Sequence, residues 1–181
     1  MKANSRIKNI HHFREKMRGP QEAMNSSSEK TIYLAVIGAG KASPEIYDLA
    51  MAVGREAARK GWIVITGGLG GVMEAAARGA QDAGGLTVGI LPGGDRTEAN
   101  PYIRIAVATH IRHARNSIIA HTADALIAVD GEYGTLSEIA LGLKLGKPVI
   151  GLKTAWDIPG IVAVNSPGEA IEKVVALLKR T

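Results

Sequence analysis

The chain has 181 residues and no cysteine, which excludes disulfides, thiolate nucleophiles and sulfur-ligated zinc. Apolar residues are 46%, enough for the core of one ordinary domain, while 4% aromatics are too few for the stacking platforms of single-strand nucleic-acid binders. Of the net charge of +5, residues 1–30 supply +4, so the basic balance belongs to a terminal segment and marks no nucleic-acid surface.

Residues 1–30 lack a sustained apolar period and any stretch resembling a secretory signal. They read as a flexible polar tail, with a short helix around Ile10–Met17 and a link through Gly19-Pro20 and Ser26–Ser28. No apolar run approaches the ~18 residues of a membrane span, and the composition suits a reducing cytoplasm. A single domain is expected over 31–181.

From Thr31 a pattern repeats: a short apolar run, a glycine-rich turn, a helical stretch. Ile32–Ile37 predicts the first strand, followed by Gly38-Ala39-Gly40. Ser43-Pro44 then supplies an N-cap and a first helical residue. Ile46, Leu49, Ala50, Val53 and Ala57 recur at helical spacing until Gly61. Trp62–Thr66 is the second strand, with five residues Gly67–Gly71 and a helix to about Ala83 after it. Leu86–Leu91 is the third, ending in Pro92-Gly93-Gly94-Asp95.

Ile103–Val107 is the fourth strand, and a helix is expected from about His110 to Thr122. Ala125–Val129 is the fifth, then Asp130–Thr135 and a helix to Leu145. Val149–Leu152 is the sixth, and Ser166-Pro167-Gly168-Glu169 opens a last helix as a capping box. Near-continuous apolar strands alternating with amphipathic helices predict an α/β, Rossmann-like, doubly wound and mostly parallel sheet with helices on both faces.

Such sheets bind ligands beyond the carboxyl ends of their strands. Four glycine-rich segments fall on this rim: Gly38–Gly40, Gly67–Gly71, Pro92–Gly94 and Gly131–Gly134. Glycine admits close approach of a ligand to the backbone, and the following helix N-terminus offers N–H groups to phosphate. A phosphorylated ligand is therefore expected. Gly40-Lys41-Ala42 lacks the hydroxyl of a P-loop, and Ser43 stands where a dinucleotide fingerprint needs its third glycine, so NAD is not expected. No lysine occupies a recognisable aldehyde-cofactor site, so pyridoxal phosphate is not expected either. No Gly-x-Ser-x-Gly elbow occurs.

The segments Gly67–Ala75 and Tyr133–Glu138 resemble the paired glycine motifs of the Lonely Guy superfamily. Arg96–Tyr102 and His113–Asn116 look closer to its molybdenum-cofactor-carrier-like branch. The resemblance spans about Thr31 to Leu152. It implies either a carrier that binds the molybdenum cofactor, or a nucleoside-5′-monophosphate phosphoribohydrolase acting on AMP or a cytokinin relative. On the enzyme motif, Gly131, Gly134, Thr135 and Glu138 match, and Arg115 falls on the catalytic arginine, 23 residues before Glu138. Asp130 replaces a proline, Glu132 a glycine and Asn116 a lysine. These departures weigh against hydrolysis and leave phosphate binding standing.

The ligand set expected from the resemblance is Gly38, Gly67, Gly68, Gly70, Gly71, Arg96, Asn100, Arg115, Gly131, Gly134 and Thr135, with Arg115 and Glu138 catalytic under the enzyme reading. Each has a plainer alternative. Thr135-x-x-Glu138 is also a capping box, Arg115 suits an ion pair or a snorkelling side chain, and Arg96 and Asn100 suit an ordinary polar loop. His110, His113 and His121 read as surface or capping groups, with no metal site expected. Tyr133 and Trp156 suit packing or a ring pocket. Apolar side chains on the helices at 110–122 and 134–145, among them Ile111, Ile118, Leu141 and Leu145, exceed what one sheet face covers, so a homo-oligomer, dimer or tetramer, is expected. Neither nucleic-acid nor membrane partners are expected.

Overall fold

The six apolar runs read from the sequence all form strands, and a seventh joins them. The computed structural model describes residues 30–179; the tail expected over 1–30 lies, but for Lys30, outside the described residues. The elements in chain order are β1 (Tyr33–Gly38), α1 (Pro44–Arg59), β2 (Ile63–Thr66), α2 (Val72–Asp82), β3 (Thr87–Leu91) and β4 (Ile105–Ala108). Then follow α3 (Arg115–Thr122), β5 (Ala125–Val129), α4 (Tyr133–Lys144), β6 (Val149–Leu152), β7 (Ile161–Val164) and α5 (Pro167–Leu178). Short 3-10 turns occupy Arg96–Glu98 and Arg112–Ala114.

All seven strands are parallel, in the order β4-β3-β2-β1-β5-β6-β7. Both faces are covered, which is why the strands read as unbroken apolar runs; every residue of β5 is buried. On one face Leu34, Val36, Val64, Ile127 and Val129 meet Val53 and Ala57 of α1, Ala75 and Ala76 of α2, and Val174 of α5. On the other, Ala35, Ile37, Ile65 and Leu126 meet Ile119 of α3 and Ile139 of α4. The strand order reverses direction between β1 and β5, and a crevice opens there at the strand ends.

Helix ends follow local chemistry where tertiary contacts permit. Ser43 Oγ accepts from the Ile46 N–H at 3.3 Å, and Ser166 Oγ from the Glu169 N–H at 3.2 Å, as capping residues should. The Glu169 carboxylate accepts from the Asn165 N–H at 3.0 Å. The helix expected from His110 starts five residues late. His110 and Arg112 have φ of 55° and 52°, and their N–H groups donate to the carbonyls of Gly93 and Pro92 at 2.9 and 3.0 Å. Two long-range backbone bonds thus hold this segment out of helical geometry. At the far end of α3, Lys147 Nζ donates to the carbonyls of Ala120, His121 and Ala123, fastening α3 to the loop after α4.

Candidate functional site

The loops leaving β1, β2 and β5 surround a cavity of about 290 Å³ at the reversal point, walled by Ile37–Gly40, Gly67, Leu69, Met73, His113, Arg115, Asn116, Glu132, Gly134, Thr135 and Glu138. Its floor is an ion pair. Arg115 opens α3 and Glu138 lies in the second turn of α4, and both side chains are buried: the residues are 9% and 6% exposed. Arg115 Nη1 donates to Glu138 Oε1 at 3.2 Å. Arg115 Nε is buried with no hydrogen-bond partner. An unsatisfied buried guanidinium N–H is costly.

Burial dominates the electrostatics of the pair. It pushes the Glu138 carboxyl up to about 7, with Arg115 pulling the other way. It lowers the Arg115 guanidinium, with Glu138 partly restoring it. Gly67 makes room for this arrangement: a Cβ there would stand 2.3 Å from Arg115 Nη2 and 2.6 Å from Met73 Sδ.

Two helix N-termini meet the cavity, and neither carries a side-chain cap: α2 after Gly71 and α4 after Glu132. The first N–H of α2, that of Val72, already donates to the Ala39 carbonyl at 3.0 Å. The remaining N–H groups of the two first turns and their positive dipole ends favour an anion. Asn116 fixes the second of them. Its Nδ2 donates to Ser137 Oγ at 2.8 Å and to the Gly134 carbonyl at 3.3 Å.

The capping-box reading of Thr135 and Glu138 does not hold. The helix α4 begins at Tyr133, two residues before Thr135, so Thr135 lies inside the first turn at 3% exposure. The Glu138 carboxylate goes to Arg115 instead.

Of the expected ligand residues, Gly38, Gly67, Arg115, Gly134 and Thr135 line the cavity together with Glu138. Gly68, Gly70, Gly71 and Gly131 belong to the same loops outside its lining, and they serve the loops themselves. Gly71, at φ 65°, lies so close to the β1–α1 loop that a Cβ would be 2.3 Å from the Ala39 carbonyl oxygen. Gly131 packs on the Thr135 side chain. Asn100 stands behind the glycine loop: its Nδ2 donates to the Leu69 carbonyl at 2.8 Å and its N–H to the Gly68 carbonyl at 2.9 Å. Arg96 is exposed in its 3-10 turn, away from the lining. His113, read from the sequence as a surface or capping group, is exposed and also borders the cavity, where the 3-10 turn before α3 places it.

Among the described residues no group of histidine and carboxylate side chains is arranged to hold a metal ion, and no helix is long and apolar enough to cross a membrane. A model of the SLOG cluster4 family matches residues 31–176. A protein of Archaeoglobus fulgidus is 48% identical over 147 residues, covering 81% of this chain and 97% of its own. The solved molybdenum cofactor binding protein of Rippkaea orientalis superposes with a TM-score of 0.79 at 35% identity, over 83% of this chain and 99% of its own. A cytokinin riboside 5′-monophosphate phosphoribohydrolase of Mycobacterium marinum is 36% identical over 100 residues, 53% of each chain. The chain belongs to the SLOG cluster4 family, on the molybdenum-cofactor-carrier-like side of the Lonely Guy superfamily.

Proposed function

We propose that the protein binds a phosphorylated pterin or nucleotide, the molybdenum cofactor within that class, in the strand-end cavity and does not cleave it. The observation that carries this reading is the buried Arg115, whose Nε has no partner, on the wall of a cavity flanked by two uncapped helix N-termini. A phosphate in the cavity would meet the positive charge of Arg115 and the remaining first-turn N–H groups of α2 and α4. The similarity to the Rippkaea orientalis protein, which binds the molybdenum cofactor, supports the same ligand class. With no cysteine in the chain, any metal in that cargo takes no protein thiolate.

The second reading, N-glycosidic cleavage of a nucleoside monophosphate, is favoured by the cavity position of Arg115 and Glu138 and by the Mycobacterium marinum relative. Glu138 would then have to support a cationic transition state. A carboxyl raised to about 7 is only half ionised at neutral pH, and its charge already faces Arg115. Glu132 and Asn116 depart from the enzyme motif in the same direction. Wild-type protein incubated with AMP is therefore expected to release no adenine by chromatography. Restoring the motif with Glu132→Gly and Asn116→Lys should tighten AMP binding, because it removes a carboxylate and adds a cation. Steady adenine release that Glu138→Gln abolishes would establish the enzyme instead.

A second copy of the chain is the partner this reading includes. Ile119 and Ile139 go into the core, but Ile111, Ile118 and Leu145 stay 45%, 37% and 37% exposed. Next to α3, the edge strand β4 leaves Ile105 and Val107 46% and 40% exposed, paired with Val88 and Ile90 on the α3 side of the sheet. Exposed apolar surface of this kind is normally an interface. Light scattering at micromolar concentration should give at least twice the 19.0 kDa of one chain; a monomer would remove the proposal.

A further inference from the structure

Arg115 and the helix N-termini account for the phosphate end of a ligand and leave its ring end unassigned. Glu132 sits at the N-cap of α4, a position where short polar side chains normally accept from the helix, yet its carboxylate makes no cap bond. No hydrogen bond or ion pair engages that carboxylate among the described residues, and it lines the cavity. Next to it Tyr133 is 82% exposed, and its ring leans on Trp156 with centroids 6.2 Å apart at 49°. The cavity therefore joins an anion-binding end to the exposed, unpaired carboxylate of Glu132, and the exposed ring of Tyr133 follows it just outside the lining.

We propose that Glu132 and Tyr133 form a ring subsite that selects a heterocycle presenting an N–H beside an exocyclic amino group, the 2-amino-4-oxopyrimidine edge shared by pterin and guanine, over adenine. This rests on the phosphate site proposed above. A carboxylate offers two parallel acceptors, and that edge offers two parallel donors. Adenine instead presents a ring nitrogen acceptor beside its amino group, which a carboxylate repels. Tyr133, steadied by Trp156, supplies a face on which a flat ring stacks. The residue that counts against the nucleotide-cleaving motif thus becomes the one that chooses the ligand. Glu132 also lies where a negative charge favours the helix dipole, and the test must separate the two roles.

Calorimetric titration of the full chain with GMP, neopterin monophosphate and AMP makes the separation. Wild type is expected to bind GMP and neopterin monophosphate about tenfold or more tighter than AMP, the lower part of the range for one bidentate contact. Glu132→Gln should erase or reverse that preference, since an amide pairs bidentately with adenine. A preference for neopterin monophosphate over GMP identifies a pterin as the source of the edge, and the reverse identifies a guanine nucleotide. Equal affinities in wild type, or a preference that survives Glu132→Gln, would overturn the subsite. A Glu132→Gln variant with lower melting temperature and unchanged selectivity would assign Glu132 to the helix dipole alone, also overturning it. Selectivity that holds while Arg115→Ala leaves all three affinities intact would keep the ring subsite and remove the phosphate site instead.

Discussion

Glu138→Gln is expected to strip a pH dependence from the stability of the protein. The carboxyl titrates at about 7 in the folded chain against an ordinary 4.5. Between those values the folded state holds a proton that the unfolded state has released, so wild-type stability falls as pH rises from about 4.5 to about 7 and then levels. The full drop is about 3 kcal/mol at 1.36 kcal/mol per unit. Glutamine does not titrate, so urea midpoints of the variant relative to wild type should rise across that window. Parallel profiles would contradict the burial assigned to Glu138.

The same pair separates structure from function. Arg115→Ala leaves Glu138 buried alone and should cost about 3 kcal/mol at pH 8, less near pH 5 where the carboxyl is neutral. It should also weaken a phosphorylated ligand by roughly 1.5–3 kcal/mol. The double replacement Arg115→Met with Glu138→Leu fills the space with apolar side chains, so stability is expected to be unchanged or higher while binding stays lost. A pair kept at no gain in stability is a pair kept for its ligand.

Two glycine-to-alanine substitutions should have opposite consequences. In Gly79→Ala the helix propensity gain of about 1 kcal/mol is overwhelmed, because the new Cβ would lie 1.9 Å from the Met51 carbonyl oxygen where α1 and α2 cross. A loss of about 3 kcal/mol is expected. Gly134 lies in the first turn of α4, lines the cavity, and would place a Cβ with nothing within 4 Å. Gly134→Ala should therefore fold as well as wild type or better by up to about 1 kcal/mol, yet bind a phosphorylated ligand at least tenfold more weakly. Thermal melts and titrations of the two variants check both signs. Wild-type affinity in Gly134→Ala would mean that the ligand does not approach that backbone.

Most of the sheet was legible because both of its faces are buried: the fifth and sixth strands fall at Ala125–Val129 and Val149–Leu152, as their apolar runs predict. The strand β7 was not, because Ile161–Val164 is a four-residue edge strand, mostly half-buried, after an irregular loop. The start of α3 was hidden by contacts distant in sequence, the carbonyls of Pro92 and Gly93. For the site, the 23-residue spacing of Arg115 and Glu138 located a pair that does meet. Glycine count alone could not say which glycines face a ligand: Gly71 is required by its neighbouring loop, whereas Gly40 and Gly134 face open space on the cavity wall. His113 is exposed, as its sequence reading has it, but its place at the cavity rim depends on the 3-10 turn at Arg112–Ala114, which no helical spacing signals.

Native mass spectrometry of the purified full chain shows whether the strand-end cavity carries a ligand. A carrier should retain a small molecule whose mass and fragments identify a phosphorylated pterin, and Arg115→Ala should lose it. Ligand-free wild type that binds no neopterin monophosphate, and instead converts added AMP to adenine and ribose 5-phosphate, would make the protein a hydrolase and not a carrier.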